Sequence, residues 1–187
     1  GIAGVDGNGQ QELEEMIVGN RRVREGEIFI NGIPVQNMAV KDRKAMGLGY
    51  IPSDRHKNAM IPSFSITENF LLGYQETSEY CRKGFIDYER LRQDAEKQVE
   101  EFEIKVAGVD QEIGQLSGGN QQKVLMGRWM INAPSILIVD EPTRGIDVNA
   151  KAEIHRLLGE MNKNGTAVIL VSSEMPEVLG MSDRIVI

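Results

Sequence analysis

The strongest constraint on the fold is a short block in the second half of the chain, Ile136-Leu-Ile-Val-Asp-Glu-Pro-Thr143. Consecutive apolar residues followed by two acids are typical of a strand that is buried on both faces of a parallel sheet. Functional groups collect at the carboxyl ends of such strands, so Asp140 and Glu141 are predicted to lie at one edge of the sheet. Acids placed there can hold Mg²⁺ and orient a water molecule. The alternative is a core strand whose aspartate only caps the next helix.

A second block, Leu116-Ser-Gly-Gly-Asn-Gln-Gln-Lys123, ends thirteen residues before that strand begins. It leads into a helical pattern of apolar residues that starts at Val124. Ser117, Gly118 and Gly119 stand at the start of this helix, where free backbone N–H groups and the helix dipole favour an anion. The block therefore predicts a helix end that faces a phosphate. The alternative is a helix that is merely capped by its serine.

Together the two blocks resemble the signature motif and the Walker B strand of the ATP-binding-cassette (ABC) ATPases. The resemblance implies an α/β fold, the P-loop NTPase fold of the ABC type. Such a fold has a mostly parallel core sheet flanked by helices, a small antiparallel β subdomain and an inserted helical subdomain. It implies one nucleotide-binding domain over residues 1–187, with the helical subdomain at about 56–131. It also implies ATP and Mg²⁺ as cofactors, Glu141 as the catalytic carboxylate and Asp140 as the metal ligand.

The first residues have the pattern of a strand, a phosphate loop and a helix. Ile2-Ala3 has the character of a strand end, and Gly4-Val-Asp-Gly-Asn-Gly9 that of a glycine-rich turn. The following helix is predicted to carry Leu13, Met16 and Ile17 on one face. This is the strand–loop–helix context that a phosphate loop requires.

The phosphate loop departs from its usual form at two positions. Gly4 and Gly9 have the spacing of G-x-x-x-x-G-K-[S/T], but Gln10 stands in place of the lysine and Gln11 in place of the magnesium-binding hydroxyl. Without these groups, most of the electrostatic stabilisation of a transferring phosphoryl group is lost. Weak nucleotide binding and a plain connecting turn both remain open. The predicted nucleotide-binding residues are Gly4, Gly7, Asn8, Gly9, Gln10 and Gln11.

Two further positions that serve the terminal phosphate in the family are changed. Ser53 stands where most members carry a glutamine that reaches the magnesium and the attacking water. Ser173 stands where a histidine usually contacts the terminal phosphate, and it is kept as a predicted nucleotide-binding position. The two histidines, His56 and His155, lie elsewhere and are interpreted as ordinary surface residues.

The groups that a signature helix offers to a partner are nearly intact. Ser117, Gly118 and Gly119 are present, and Asn120 replaces the usual glutamine. ABC domains pair head to tail, so each nucleotide lies between one domain's phosphate loop and the other's signature. The resemblance therefore implies a domain that lends its signature better than it uses its own loop. Asp147, at the position of the family's D-loop, is predicted to act at the dimer interface or to cap the next helix.

The retained acids Asp140 and Glu141 leave a second interpretation open. Both normally serve the phosphate loop of their own domain, so their presence argues for some remaining metal or nucleotide function. They are also compatible with a structural role, through helix capping and contacts with the D-loop.

The other elements follow from local patterns. An Asn-Gly dipeptide between alternating apolar residues predicts a β-hairpin over residues 26–35. A polar loop is predicted for Glu76 to Phe85. The remaining predictions are a helix at Val40–Met46, a strand at Leu48–Pro52, helices at Thr67–Leu72 and Tyr88–Val106, and a strand at Thr166–Val171.

Composition narrows the class of protein. With 187 residues and 41% hydrophobic content, the chain is long enough for one domain with a real core. A net charge of −7 argues against a nucleic-acid partner, because no basic surface is available to displace phosphate counterions. The single cysteine and the lack of a secretory segment predict a cytosolic compartment. No apolar run is long enough to span a membrane, so a transport channel would belong to another chain.

The exact residues of the motifs indicate a subfamily within the ABC ATPases. GVDGNGQQEL, IPSDRHKNAM, LSGGNQQK, DEPTRGIDV and VSSEMPEVLGMSDRI together look like the second, C-terminal cassette of the tandem subunits that drive simple-sugar importers. Within that group, the DRH wording is most similar to the nucleoside importers. The chain's first and last residues fit a fragment of a longer polypeptide. The implied reaction is in-line attack of water on the γ-phosphate of ATP.

The same resemblance implies a set of partners. They are the N-terminal ABC cassette of the same polypeptide, transmembrane permease subunits and, indirectly, an extracytoplasmic substrate-binding protein. The implied location is the cytoplasmic face of the inner membrane, as a peripheral protein. Two other functions stay open: a structural or regulatory cassette that does not hydrolyse ATP, and a soluble ABC ATPase of translation or DNA repair. The transported solute is not specified by these motifs.

Overall fold

The computed structural model describes residues 1–5, 7–131 and 133–187. Asp6, which belongs to the predicted glycine-rich turn, lies outside the described residues. The chain divides into two compact units. Unit 1 comprises Gly1–Ile51, Ala133–Pro142 and Leu158–Ile187, and unit 2 comprises Pro52–Asn132 and Thr143–Leu157.

Strands and helices alternate along most of the described chain. The strands are β1 (Ile2–Ala3), β2 (Phe29–Ile30), β3 (Ile33–Pro34), β4 (Leu48–Ile51), β5 (Cys81–Arg82), β6 (Phe85–Ile86), β7 (Ile136–Asp140) and β8 (Ala167–Ser172). The helices are α1 (Gln10–Val18), α2 (Val40–Ala45), α3 (Arg55–Asn58), α4 (Ile66–Leu71), α5 (Tyr88–Glu101), α6 (Gly118–Ile131), α7 (Val148–Lys163) and α8 (Met175–Met181), with a 3₁₀ turn at Ile113–Gln115. No described helix combines the length and the apolar character needed to cross a bilayer.

Unit 1 is built on a four-stranded sheet in the order β1-β8-β7-β4, and every neighbouring pair in it is parallel. Strand β7 lies inside this sheet, where Leu137, Ile138 and Val139 are fully buried. The prediction of a doubly buried strand is confirmed. Because the strands are parallel, the residues that follow β1, β7 and β8 emerge at one edge, the carboxyl edge.

The antiparallel hairpin β2–β3 belongs to the same unit and was predicted correctly. Its turn residues Asn31 and Gly32 both have positive φ, 50° and 77°. Asn and Gly adopt this conformation most readily, and it matches the twist of a two-residue hairpin. The hairpin contributes Ile30 to the cluster of buried side chains under the sheet, and Val35 follows it there.

Helix α1 does not present the face that its apolar residues predict. Its buried residues are Glu14 and Val18, whereas Leu13 is 39% exposed, so the prediction was wrong at Leu13. The end of the helix is fixed by Arg43, which is buried and donates hydrogen bonds to the carbonyl oxygens of Met16 and Ile17. A cation at the carboxyl end of a helix satisfies its last carbonyls and complements the dipole.

Unit 2 contains α4, α5 and α6, which pack against one another. Helix α4 begins with a capping box in which Ser65 and Glu68 satisfy each other's backbone N–H groups. Helix α5 ends at Glu101, earlier than predicted, and Glu103 just beyond it has a positive φ of 48°. The segment predicted as a polar loop also contains the short hairpin β5–β6.

Candidate functional site

The predicted site residues fall into two groups, one in each unit. At the carboxyl edge of the unit 1 sheet lie Gly4, Gly7, Asn8, Gly9, Gln10 and Gln11 after β1, Asp140 and Glu141 at the end of β7, and Ser173 after β8. In unit 2 lie Ser117, Gly118, Gly119 and Asn120 at the start of α6, and Asp147 before α7.

The glycine loop after β1 is occupied by the side chain of Gln10. Its Nε2 donates to the carbonyl oxygen of Val5 at 3.2 Å, and its Oε1 accepts from the N–H of Asn8 at 3.1 Å. A Cβ atom on Gly4 would lie 1.9 Å from this Nε2, so a larger residue there would require the Gln10 side chain to move. The amide of Gln10 therefore uses one backbone N–H, that of Asn8, of the kind that a phosphate loop offers to its ligand.

Gln11, at the position of the missing hydroxyl, faces along the surface of α1. Its Nε2 donates to Glu15 Oε1 at 3.0 Å, and the other oxygen of Glu15 accepts from Arg21 Nε at 2.7 Å. Gln11 is exposed, and the bond to Glu15 spans one helical turn. This contact places its amide in a surface network on α1.

A buried acid, Glu14, lies next to Asp140. Glu14 is 1% exposed, and its Oε2 accepts a hydrogen bond from the Tyr50 hydroxyl at 3.1 Å. Burial, and after it the neighbouring Asp140 carboxylate, together raise the pKa of Glu14 to about 8, while the Tyr50 bond opposes the rise. Burial and the charge of Glu14 also raise the pKa of Tyr50. At neutral pH Glu14 is therefore mainly protonated and able to share its proton with Asp140.

Glu141 is held by the backbone at the end of β8. Its φ of 47° is in the left-handed region, which costs energy for a residue with a side chain. Its N–H donates to the Val171 carbonyl at 2.9 Å, and its Oε1 accepts from the Ser173 N–H at 2.6 Å. These bonds join the candidate catalytic acid to the position where the family usually has a histidine.

The acids at this edge do not by themselves fit a complete Mg²⁺ site. Among the described residues, no cluster of three or more His, Cys, Asp or Glu side chains is placed to hold a metal ion. The hydroxyl ligand is replaced by Gln11, whose amide is bound to Glu15, and Asp140 adjoins the protonated Glu14. Asp140 as a metal ligand stays a prediction.

In unit 2, Asn120 orients the signature serine. Its Nδ2 donates to Ser117 Oγ at 3.1 Å and to the Lys105 carbonyl at 3.4 Å, and its Oδ1 accepts from the Lys105 N–H at 3.2 Å. The backbone N–H of Asn120 also approaches Ser117 Oγ, at 3.5 Å. Because Oγ accepts from Asn120, its own hydrogen is left to donate outward, and Ser117 is exposed.

The glycines of the signature permit close packing and leave N–H groups open. A Cβ on Gly119 would lie 2.6 Å from Ala150 Cβ on α7, so a larger residue would clash there. In the described part of the chain, the N–H groups of Gly118 and Gly119 have no backbone acceptor, as expected for the first turn of a helix. Together with Ser117 they form a set of donors suited to an anion.

Asp147 caps α7. Its Oδ1 accepts hydrogen bonds from the N–H groups of Asn149 and Ala150, at 3.1 and 3.0 Å. The capping role, one of the two roles considered for this residue, is therefore observed. A role at a dimer interface stays a prediction.

Three residues that contact the predicted site residues were not predicted from the sequence. Glu14 and Tyr50 join Asp140, and Arg55 contacts the signature turn. A signal for Glu14 existed, because it lies one turn from Gln10 and one turn from the buried Val18. Arg55 belongs to the Asp54-Arg55-His56 motif, which by itself indicated only a similarity to the nucleoside importers.

The chain is similar to a family of known proteins. The chain matches the family described as ABC transporter over residues 1–144. It is 40% identical to a putative ribose/galactose/methyl galactoside import ATP-binding protein of Geobacillus kaustophilus and 41% identical to the arabinose import ATP-binding protein AraG of Vibrio parahaemolyticus. It is 42% identical to the ribose import ATP-binding protein RbsA of Clostridium perfringens. These alignments cover the whole chain but 37% of each relative's length.

Solved structures with the same fold include ATP-binding cassettes. The dimeric post-hydrolysis state of the cassette MJ0796, bound to ADP and Pi, superimposes with a TM-score of 0.79 at 25% identity, covering 99% of this chain and 78% of that one. The cassette MJ1267 superimposes with a TM-score of 0.82 at 22% identity, covering 98% and 74%. The predicted ABC-type P-loop NTPase fold is confirmed. With the match over residues 1–144, these comparisons show that the chain belongs to the ABC transporter family.

Proposed function

We propose that this chain is the second, C-terminal ATP-binding cassette of an importer subunit, and that it supplies its signature to the ATP site of the first cassette. The observation that carries the proposal is a contrast between the two groups. Gln10 occupies the glycine loop, whereas Ser117 is exposed with its hydroxyl oriented by Asn120. Gln10 already engages one N–H donor of the loop, that of Asn8, whereas the donors of the signature turn are open.

The roles of this chain's residues follow from that contrast. The Ser117 hydroxyl and the N–H groups of Gly118 and Gly119 would bind the terminal phosphate of ATP held on the first cassette. Asn120 acts through Ser117 by fixing its hydroxyl. No step is assigned to Mg²⁺ in this cassette, and Glu141 is proposed as its catalytic carboxylate only if its own loop admits nucleotide.

The importer context is also part of the proposal. The relatives are named as ATP-binding proteins for the import of ribose, galactose, methyl galactoside or arabinose. We assign this chain to the import of a simple sugar or nucleoside through membrane permeases, with a substrate-binding protein outside the membrane. Its place would be at the cytoplasmic face of the membrane, bound to the permease, with ATP as the energy source.

A second function, a cassette that binds no nucleotide of its own, is favoured by one observation. A phosphate that binds the Asn8 N–H must displace Gln10 Oε1 from it. In that case the domain would serve only to complete the site of its partner. Both functions require the signature, and they differ in whether Glu141 ever acts.

The test is ATP hydrolysis by the full-length subunit that contains this chain. Ser117→Arg should abolish turnover, because a large cation would fill the position of the signature hydroxyl. Ser78→Arg is the matched control, since Ser78 is exposed in the same unit and far from α6 in sequence. Turnover that survives Ser117→Arg at the level of Ser78→Arg would refute the signature role.

A further inference from the structure

The DRH segment places a charged side chain against the signature turn. Arg55 is the first residue of α3, and the preceding Asp54 caps that helix by accepting from the Lys57 N–H at 3.0 Å. Asp54 is therefore engaged with the backbone, and Arg55 extends away to α6. The Arg55 side chain is half-buried.

Two hydrogen bonds fix the guanidinium in position. Nε donates to Gln121 Oε1 at 3.3 Å, and Nη1 donates to the Arg144 carbonyl at 3.2 Å. Gln121 is itself buried, and its Nε2 donates to the carbonyls of Ile113 and Leu116. Arg55 thus joins the signature helix to the segment before Asp147.

The third nitrogen of Arg55 lies at the signature glycine. A Cβ atom on Gly118 would lie 2.7 Å from Nη2, so this nitrogen approaches the backbone of Gly118 closely. Within the described part of the chain, Nη2 has no hydrogen-bond acceptor. Nη2 therefore lies close to Gly118, and its N–H groups are open donors beside the signature turn.

The charge of Arg55 is poorly compensated. Its two acceptors are neutral, and it makes no ion pair with any described residue. Burial lowers the pKa of the guanidinium, an effect that the nearby Asp54 carboxylate opposes. A half-buried cation with free donors is stabilised when an anion binds beside it.

We propose that Arg55 is a phosphate-binding residue of the signature surface, and that its Nη2 contacts the terminal phosphate of the ATP held by the partner cassette. This inference rests on the proposed function, since it needs the signature to face that nucleotide. Arg55 supplies the positive charge that the neutral donors of Ser117 and Gly118 lack.

The test compares nucleotides that differ by one phosphate. In the full-length subunit, Arg55→Gln should raise the KM for ATP by about tenfold or more, the value of a charge-assisted hydrogen bond. Inhibition by ADP, which lacks the terminal phosphate, should change by less than about twofold. Arg55→Lys, which keeps the charge, should give a smaller rise in KM. Lys57→Gln is the matched control, because it removes an exposed charge from the same short helix.

The outcomes separate this inference from the proposed function. If Ser117→Arg abolishes turnover while Arg55→Gln leaves the KM for ATP unchanged, the signature role stands and the Arg55 role is refuted. If Arg55→Gln and Arg55→Lys weaken ATP and ADP equally and lower the melting temperature, Arg55 is only a structural link between Gln121 and Arg144. If Ser117→Arg leaves turnover intact, the proposed function and the inference both fail.

Discussion

Gln10 replaces the usual cation of the glycine loop with a side chain that bonds to the loop itself. A lysine at this position would present a cation to a phosphate. The glutamine amide has one donor group and one acceptor, and the loop offers it a carbonyl at Val5 and an N–H at Asn8. The replacement therefore removes the charge and occupies the loop as well.

Glu14 makes the stability of the chain depend on pH. Its folded-state pKa of about 8 lies above the ordinary value of 4.5, so between these values the folded chain holds a proton that the unfolded chain has lost. The stability contributed by this group is fully present below about pH 4.5 and is lost as pH rises through about 8, by up to about 1.4 kcal/mol per pH unit.

Glu14→Gln should remove this dependence. The measurement is the free energy of unfolding in urea from about pH 5 to about pH 8.5. The wild-type value should fall relative to the variant as pH rises. Glu12→Gln, an exposed acid on the same helix, is the matched control. A constant difference between wild type and Glu14→Gln would show that Glu14 carries no extra proton in the folded chain.

At the scale of single residues, the sequence showed which motif positions are replaced, but it did not predict the contacts that the replacing side chains make. The replaced positions Gln10, Gln11 and Ser173 were recognised from motif spacing. That Gln10 folds back on its loop could not be predicted, because it depends on the position of the Val5 carbonyl in three dimensions. Glu14 was missed because an acid on a helix is normally assigned to the solvent face.

Among the elements, the parallel sheet and the β2–β3 hairpin were predictable because their signals are local. An apolar run ending in acids and an Asn-Gly turn each specify a structure within a few residues. The buried face of α1 was not predictable from its sequence, because the apolar Leu13 is exposed and the acidic Glu14 is buried. The partner of Glu14 is Asp140, which is distant in sequence, and no local pattern contains that information.

Helix α4 is anchored by one buried amide. Asn69 is fully buried. Its side-chain oxygen accepts a hydrogen bond from the N–H of Ile61, and its side-chain nitrogen donates to the carbonyl of Ile61. The same amide group donates to the carbonyls of Phe64 and Ser65. A single side chain thus satisfies the backbone of the turn that leads into the helix.

Asn69→Ala should destabilise the protein by about 3 kcal/mol or more, because several buried backbone groups lose their partners at once. Asn58→Ala, at an exposed asparagine of the same unit, is the matched control and should change little. Chemical denaturation of the full-length protein measures both. Equal effects of the two substitutions would mean that water replaces the Asn69 amide without cost.

On the scale of the whole molecule, the motifs predicted the fold, which the comparisons confirm. Signature and Walker B blocks occur together at this spacing because both belong to one fold. The motifs do not show which hydrogen bonds the side chains at each candidate site make. The bonds of Gln10 in unit 1 and of Asn120 in unit 2 are the observations on which the proposed signature role rests.

The most direct test of this account is the number of nucleotides bound per full-length subunit. A non-hydrolysable ATP analogue, added at a concentration well above the dissociation constant of the tighter site, should saturate at about one per subunit. Ser117→Arg should weaken that site, and Gln10→Ala should leave it unchanged. Saturation at two equivalent sites, one of them lost in Gln10→Ala, would contradict the account, because the glycine loop of this cassette would then bind nucleotide itself.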